Sequence, residues 1–272
     1  MGEPNSLMKP SPHLDTEQIR RHVRERYGAI AEQSDEGCGC TATGCCGGKL
    51  ESYGEKLGYT AEELAAAPAA SDLGLGCGNP LAIASIRPGE TVLDLGSGAG
   101  FDCFLAARQL AGTGRVIGVD MTAAMLTKAR ANAVKGGYAN VEFRLGEIEA
   151  LPVADTSVDL ILSNCVINLS PEKGRVFREA FRVLKAGGRL AIADIVATQP
   201  LPADLRTKLE AIGACVGGAT PVDELRRLLT EAGFTRVDIA PKEASREYIR
   251  HWTEDPRAGD FVVSALITAY KA

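Results

Sequence analysis

Val92-Leu93-Asp94-Leu95-Gly96-Ser97-Gly98-Ala99-Gly100 decides the fold of this chain. A short apolar run carries an acid near its end, and three glycines follow at every second position. Phe101-Asp102-Cys103-Phe104-Leu105-Ala106-Ala107 then opens a helix. The order is strand, glycine loop, helix. Glycine tolerates positive φ and lets the backbone approach a ligand closely, and the helix N-terminus adds oriented N–H groups. A nicotinamide site places G-x-G-x-x-G after its strand. Here the pattern is D-x-G-x-G-x-G, and a second acid, Asp120, closes the next apolar run.

Outward from this stretch, apolar runs alternate with helical patterns. Strands are expected at 92–95, 115–120, 141–145, 158–163 and 188–195. Helices are expected at 101–110, at 122–134 with Thr122 as N-cap, and from Ser170-Pro171 through Leu184. Near-continuous apolar strands separated by helices imply a parallel sheet covered on both faces, with right-handed crossovers. Ligands of such sheets lie at the carboxyl ends of the strands. Upstream, Asp15 to Gln18 reads as a capping box that starts an amphipathic helix with Ile19, Val23, Tyr27 and Ile30 on one face. That helix either caps the ligand side or packs on the sheet. Thr60 to Glu63 is a second capping box. Downstream, a helix is expected around 203–213, another from Thr220-Pro221, and late strands at 236–240 and 261–269. The chain therefore divides into an N-terminal helix with a Cys-rich loop (1–70), a doubly wound, Rossmann-like α/β core (71–197), and a smaller α+β region that completes the sheet (198–272).

The 272 residues carry a net charge of −5 and no Lys/Arg cluster, so neither nucleic acid nor an anionic membrane surface is an expected partner. No apolar run approaches the roughly 20 residues that span a bilayer, and the N-terminus lacks the pattern of a secretory leader. A cytoplasmic protein is expected. Eight cysteines in that setting point to reduced thiols, metal or catalysis rather than a disulfide framework. The histidines, His13, His22 and His251, all lie near the termini, which leaves no histidine base for the centre of the fold.

The spacing of the glycine loop resembles that of the class I S-adenosylmethionine (SAM) methyltransferases. On that reading Asp94, Gly96, Ser97, Gly98 and Gly100 hold the methionine end of SAM, and Asp120 accepts both ribose hydroxyls. Met121 packs on adenine, Glu147 accepts from the adenine amino group, Ile148 lies against the ring, and Asn164 faces the same edge from the end of the fourth strand.

The acceptor side is where the cysteines enter. Cys165 directly follows the fourth strand, while Cys77 and Cys215 sit in glycine-rich turns before and after the core. Three soft thiolates from separate loops select a soft, thiophilic ion. A free thiol has a pKa of about 8.5, so affinity is expected to rise with pH as the ligands deprotonate. A bound atom with a lone pair attacks a sulfonium methyl directly and needs no base, which fits As(III). Cys103, in the first turn of the helix after the glycine loop, reads as a core thiol. Tyr248 and Trp252 read as packing.

Leu75-Gly76-Cys77-Gly78-Asn79-Pro80, the loop from Asp94 to Gly100, Gly118-Val119-Asp120-Met121, Leu145-Gly146-Glu147-Ile148, the stretch Ser163-Asn164-Cys165-Val166-Ile167-Asn168-Leu169-Ser170-Pro171, and Gly213-Ala214-Cys215-Val216-Gly217 together resemble the arsenite methyltransferases. The resemblance covers roughly residues 15 to 272. It implies that Cys165 and Cys215 hold As(III), that Cys77 completes a three-thiolate site, and that a further N-terminal cysteine forms a disulfide with Cys77 during turnover. Cys45 and Cys46 both match that cysteine, and Cys38 and Cys40 add candidates. Thiol exchange through such a pair requires a reductant such as glutathione or thioredoxin. Cys38, Cys40, Cys45 and Cys46 lack the C-x₂-C spacing of a zinc site. Two other readings remain open at this point: a SAM methyltransferase of a small, quinone-type carbon acceptor, and a thiol-rich protein that sequesters a soft metal or metalloid.

Overall fold

Every residue of the strand that feeds the glycine loop is buried, as a central strand of a sheet covered on both faces requires. The computed structural model describes residues 14–33, 53–255 and 257–272, so the expectations at Cys38, Cys40, Cys45 and Cys46 lie outside the described residues. The main elements are α1 (Thr16–Gln33), β1 (Thr91–Leu95), α2 (Phe101–Gln109), β2 (Arg115–Asp120), α3 (Ala123–Gly136), β3 (Val141–Leu145), β4 (Val158–Asn164), α4 (Lys173–Val183), β5 (Leu184–Ala197), β6 (Thr220–Pro221), α5 (Val222–Glu231), β7 (Thr235–Lys242) and β8 (Val262–Tyr270). The sheet runs β3-β2-β1-β4-β5-β8-β7, with β6 beside β5. Pairing is parallel from β3 to β6. β8 lies antiparallel between β5 and β7. The strands after residue 198 thus extend the central sheet rather than form one of their own.

Alternate residues of β1 feed opposite faces. Leu93 and Leu95 join a core with Val119, Phe177 and Ile192, whereas Val92 joins one with Phe104, Leu126 and Leu160. The chain order reverses between β1 and β4, so the crevice at their carboxyl ends is the ligand position of a doubly wound sheet. The glycine loop leaves β1 there, and the Asn164–Cys165 turn leaves β4 beside it.

The local chemistry explains where boundaries shift. The Thr60 capping box forms as expected, with Glu63 N donating to Thr60 Oγ1 at 3.1 Å and Thr60 N donating to the Glu63 carboxylate at 2.8 Å. Thr122 occupies the N-cap position of α3 without a side-chain cap bond, and its backbone N–H donates to Asp120 Oδ1 at 2.8 Å. The helix expected from Pro171 begins only at Lys173, since Ser170 is extended and its Oγ accepts from Glu172 N at 3.0 Å. The 203–213 helix is broken at Lys208, which is extended, into Ala203–Thr207 and Leu209–Gly213. Among the described residues, no helix is long and apolar enough to cross a membrane.

Candidate active site

A cavity of about 1200 Å³, counting its open mouth, fills the crevice between β1 and β4. Its floor is Asp94 with Gly96, Ser97 and Gly98, and one wall carries Asp120 and Met121. Arg20, Val23 and Tyr27 of α1 reach into it from above, so the N-terminal helix both packs on the core and roofs the ligand side. Gly98 has φ +51°, and a Cβ there would meet nothing within 4 Å: the backbone is left bare toward the cavity. Gly100 differs. Its φ is +95°, and a Cβ would run into the rings of Phe104 and Phe143. It is absent from the cavity lining, so its glycine serves the packing of loop on helix rather than contact with a ligand.

The acids of this cavity have distinct environments. Asp120 Oδ2 accepts from Gly98 N at 2.9 Å and Oδ1 from Thr122 N at 2.8 Å. Burial raises its pKa, and the two backbone donors oppose the shift. Each oxygen keeps a lone pair for one more donor, which suits a vicinal diol. Ser97 Oγ is buried without a hydrogen-bond partner, an unsatisfied group that a polar ligand would complete. Asp94 is pushed well above the usual carboxylate range by burial and by the charge of Asp102. Its Oδ2 accepts from Cys103 Sγ at 3.2 Å. Cys103 is therefore buried, like a core thiol, but it is also tied to the donor cavity, a pairing the sequence alone did not signal.

Glu147 and Asn164 differ in where the structure places them. Glu147 does not line the cavity. Its carboxylate is drawn outward by the guanidinium groups of Arg24 at 3.3 Å and Arg20 at 3.7 Å. Ile148 and Glu149 face inward in its place, and the buried Glu149 accepts from the Ser170 hydroxyl at 2.6 Å. Asn164 lines the cavity but spends its polar atoms on the protein. Oδ1 accepts from Cys77 N at 3.0 Å, and Nδ2 donates to Tyr59 Oη at 2.9 Å, Gly78 O at 2.9 Å and Asp102 Oδ2 at 3.1 Å. Burial lifts the Asp102 carboxyl to about 6, against the hydrogen bonds from Tyr59 and Asn164.

Behind the cavity lie the three expected thiols, and the close group of ligand atoms there is Cys77, Cys165 and Asp194, without Cys215. Cys77, Cys165 and Cys215 pack in one buried cluster with Val23 and Leu169, and all are free. Among the three, Cys165 alone lines the donor cavity. The sulfurs of Cys77 and Cys165 and a carboxylate oxygen of Asp194 lie within 4.8 Å of one another. Cys215 Sγ donates to Cys165 O at 2.9 Å and Cys77 Sγ to Ala193 O at 3.4 Å. Cys165 and Cys215 adopt φ of +59° and +63°, a region costing a non-glycine residue about 1–3 kcal/mol and found mostly at functional sites. Burial pushes the Cys77 thiol up to about 11 and Cys165 well above its ordinary value. Cys215 is raised by contact with Cys165 and then by burial.

Asp194 is the residue sequence reasoning missed here. It is a lone acid in the apolar run of β5, and that was the available signal. Its carboxylate accepts from Ile195 N at 2.7 Å, Asn168 Nδ2 at 2.9 Å and Ile167 N at 3.0 Å, and burial lifts it to about 6. Tyr248 packs on Trp252 as expected, and its hydroxyl also donates to Cys77 O at 3.3 Å, beside the Ser264 hydroxyl at 2.6 Å.

The parallel sheet with its one antiparallel strand, the glycine loop and the acid at the end of β2 define a class I, SAM-dependent methyltransferase, and a methyltransferase-domain family matches residues 86–233. An arsenite methyltransferase of Halobacterium salinarum is 53% identical over 264 residues, covering 94% of this chain and 68% of its own length. The chain belongs to the arsenite methyltransferase family. An arsenite methyltransferase of Aquipseudomonas alcaligenes is 46% identical over 167 residues, or 59% of this chain and 48% of that protein. The solved structure of an arsenic(III) S-adenosylmethionine methyltransferase from Chlamydomonas reinhardtii superposes with a TM-score of 0.61 at 36% identity, over 72% of this chain and 67% of that one.

Proposed function

We infer that this chain moves a methyl group from SAM to trivalent arsenic held by Cys77, Cys165 and Cys215. One observation carries the reading: three thiols from separate loops converge in one cluster, and Cys165 opens from it into the donor cavity. When bound, SAM supplies a methyl group on a positively charged sulfur. The chain's own residues then orient it. The side-chain-free backbone of Gly96 and Gly98 lies against the methionine end, the unpartnered hydroxyl of Ser97 meets it beside Asp94, and Asp120 takes the ribose hydroxyls. Met121 and Ile148 flank the adenine. Gly100 fixes the loop on α2. Glu147 holds the roof helix through Arg20 and Arg24, and Val23 and Tyr27 keep water out.

Arsenite is the substrate, and the raised thiols suit its neutral form. Each exchange turns R–SH and As–OH into R–S–As and water, so the proton leaves with the hydroxide. Binding is then proton-neutral, unlike capture of a bare cation, which must displace protons; the rise of affinity with pH expected from the sequence belongs to such cations. The arsenic lone pair attacks the methyl carbon, and no base is needed. Proximity and alignment are the enzyme's contribution. Methyl transfer removes two electrons from arsenic in the formal sense. A disulfide between Cys77 and Cys45 or Cys46 returns them, and glutathione or thioredoxin reduces that disulfide. This chemistry belongs in the reducing cytoplasm.

The test is incubation with arsenite, thiol and SAM, followed by speciation of arsenic. Methylated arsenicals are expected. Arsenic that is bound but unmodified would favour sequestration instead. The quinone-type carbon acceptor is disfavoured by the 94% coverage of an arsenite methyltransferase at 53% identity.

A further inference from the structure

Asp194 lies against the thiol cluster, and the methyl transfer inferred above gives it no task. One of its carboxylate oxygens and the sulfurs of Cys77 and Cys165 lie within 4.8 Å of one another. Cys215 stands outside that group, and its Sγ donates to Cys165 O at 2.9 Å. The cluster therefore offers two overlapping sets of ligands: three sulfurs, or two sulfurs and an oxygen.

The second set has the parts of a site for a divalent cation. Zinc takes thiolate and carboxylate together, and a site with three protein ligands leaves a fourth position for water. Cys165 lines the donor cavity, which gives a cation its way in. Asp194 is held as a ligating carboxylate is held, by hydrogen bonds from behind. Oδ1 accepts from Ile195 N and Asn168 Nδ2, and Oδ2 accepts from Ile167 N. A carboxylate has about four lone-pair sites, so these bonds fix the group and leave one lone pair on Oδ2. Ile167 and Asn168 belong to the turn that begins at Cys165, so the same bonds tie the carboxylate to the thiol.

Charge separates the two sets. Trivalent arsenic on three thiolates is neutral. A divalent cation on two thiolates and one carboxylate carries a single negative charge, while Cys215 stays a neutral thiol. A buried charge needs a partner, and Lys173 is at hand. Burial lowers the pKa of its ammonium, and the charge of Asp194 opposes that shift.

We propose that Cys77, Cys165 and Asp194 form a mixed thiolate–carboxylate site for a tetrahedral divalent cation such as zinc, and that the bound cation excludes arsenic. The exclusion rests on the function inferred above, because two thiols are common to both sets; the cation site itself does not. On binding, two S–H protons pass to solvent, two S–Zn bonds and one O–Zn bond form, and no atom changes oxidation state.

The test titrates zinc into the full chain carrying Cys38→Ser, Cys40→Ser, Cys45→Ser and Cys46→Ser, kept reduced by a phosphine and free of arsenic and SAM. One zinc per chain is expected by calorimetry. Cys165→Ser and Asp194→Asn should each weaken binding by roughly a hundredfold or more, and Lys173→Met, an outer partner, by roughly tenfold. Cys215→Ser should leave it unchanged. Cobalt in place of zinc reads the ligands without any change at Asp194: charge-transfer absorption from two thiolates and the visible bands of a tetrahedral ion are expected. No zinc bound, absorption from three thiolates, full affinity in Asp194→Asn, or a loss in Cys215→Ser equal to that in Cys165→Ser would overturn the site. Excess arsenite should release the zinc, and both bound at once would overturn the exclusion. Zinc bound as described by a chain that fails to methylate arsenic removes the inferred function alone. Methylation by a chain that binds no zinc removes this site alone.

Discussion

The donor cavity and the thiol cluster share the turn after β4 but are built in opposite ways. The donor half rests on backbone: a glycine loop with no side chain over Gly98, a helix start, and Asp120 anchored by two N–H groups. Most of it comes from one contiguous stretch. The thiol half rests on side chains from three distant loops, two of them in left-handed backbone conformations. No contiguous stretch contains it. The lesson is that a generic donor site is carried by local geometry, whereas acceptor specificity is carried by tertiary assembly. Asn164 bridges the two, bonded at once to Cys77 N and to Asp102.

Substitutions that separate the halves should have the largest effects. Cys165→Ser is expected to lower methyl transfer to arsenic by roughly a thousandfold or more, with SAM affinity by calorimetry unchanged. A comparable loss of SAM affinity would break the distinction between halves. Asp120→Ala should do the reverse. Two charge-assisted hydrogen bonds of about 1.5–3 kcal/mol each translate into a KM for SAM raised by roughly 100-fold or more, while arsenite still binds at one per chain.

Asn164→Leu tests the bridge. It removes the partner of the Cys77 amide and of Gly78 O, at about 1–3 kcal/mol for each group left unpaired, while Tyr59 and Asp102 keep their mutual hydrogen bond. A fall in Tm of several degrees is expected by calorimetry, together with weaker binding of both ligands. Loss of one ligand alone would show that the bridge is not shared. Cys103→Ala should act only on the donor half, raising the KM for SAM roughly two- to fivefold by removing the partner of Asp94. Arsenic should still be held by three sulfurs.

The smallest expected effect is none at all. At about pH 6 to 8 the thiols enter protonated, because burial raises Cys77 to about 11 and lifts Cys165 as well, while contact with Cys165 and then burial raise Cys215. Arsenite affinity should therefore stay flat across that window. Cadmium affinity should rise steeply with pH, since each thiolate gained costs a proton. Parallel pH profiles for the two would contradict exchange with neutral arsenite.

The same contrast governs what was legible beforehand. The strand–loop–helix around Gly98 and the acid at Asp120 could be read because their chemistry is spaced within a few residues. The three loop cysteines could be read by type and by their place, Cys165 directly after an apolar strand and Cys77 and Cys215 in glycine-rich turns. Asp194, Tyr59 and Tyr248 could not, because their roles exist only once β5, the 53–60 region and the C-terminal strands converge. Glu147 illustrates the opposite case. It has the right residue type in the right loop, but Arg20 and Arg24 on a helix more than a hundred residues upstream turn it outward, and Glu149 faces the cavity.

The most direct measurement is a single turnover. The chain is loaded with one equivalent of arsenite and mixed with SAM carrying an isotopically labelled methyl group. The account predicts label on arsenic in the wild-type chain at a rate that Cys165→Ser abolishes. Label that never reaches arsenic although both ligands are bound, or that reaches it at an unchanged rate in Cys165→Ser, would contradict it.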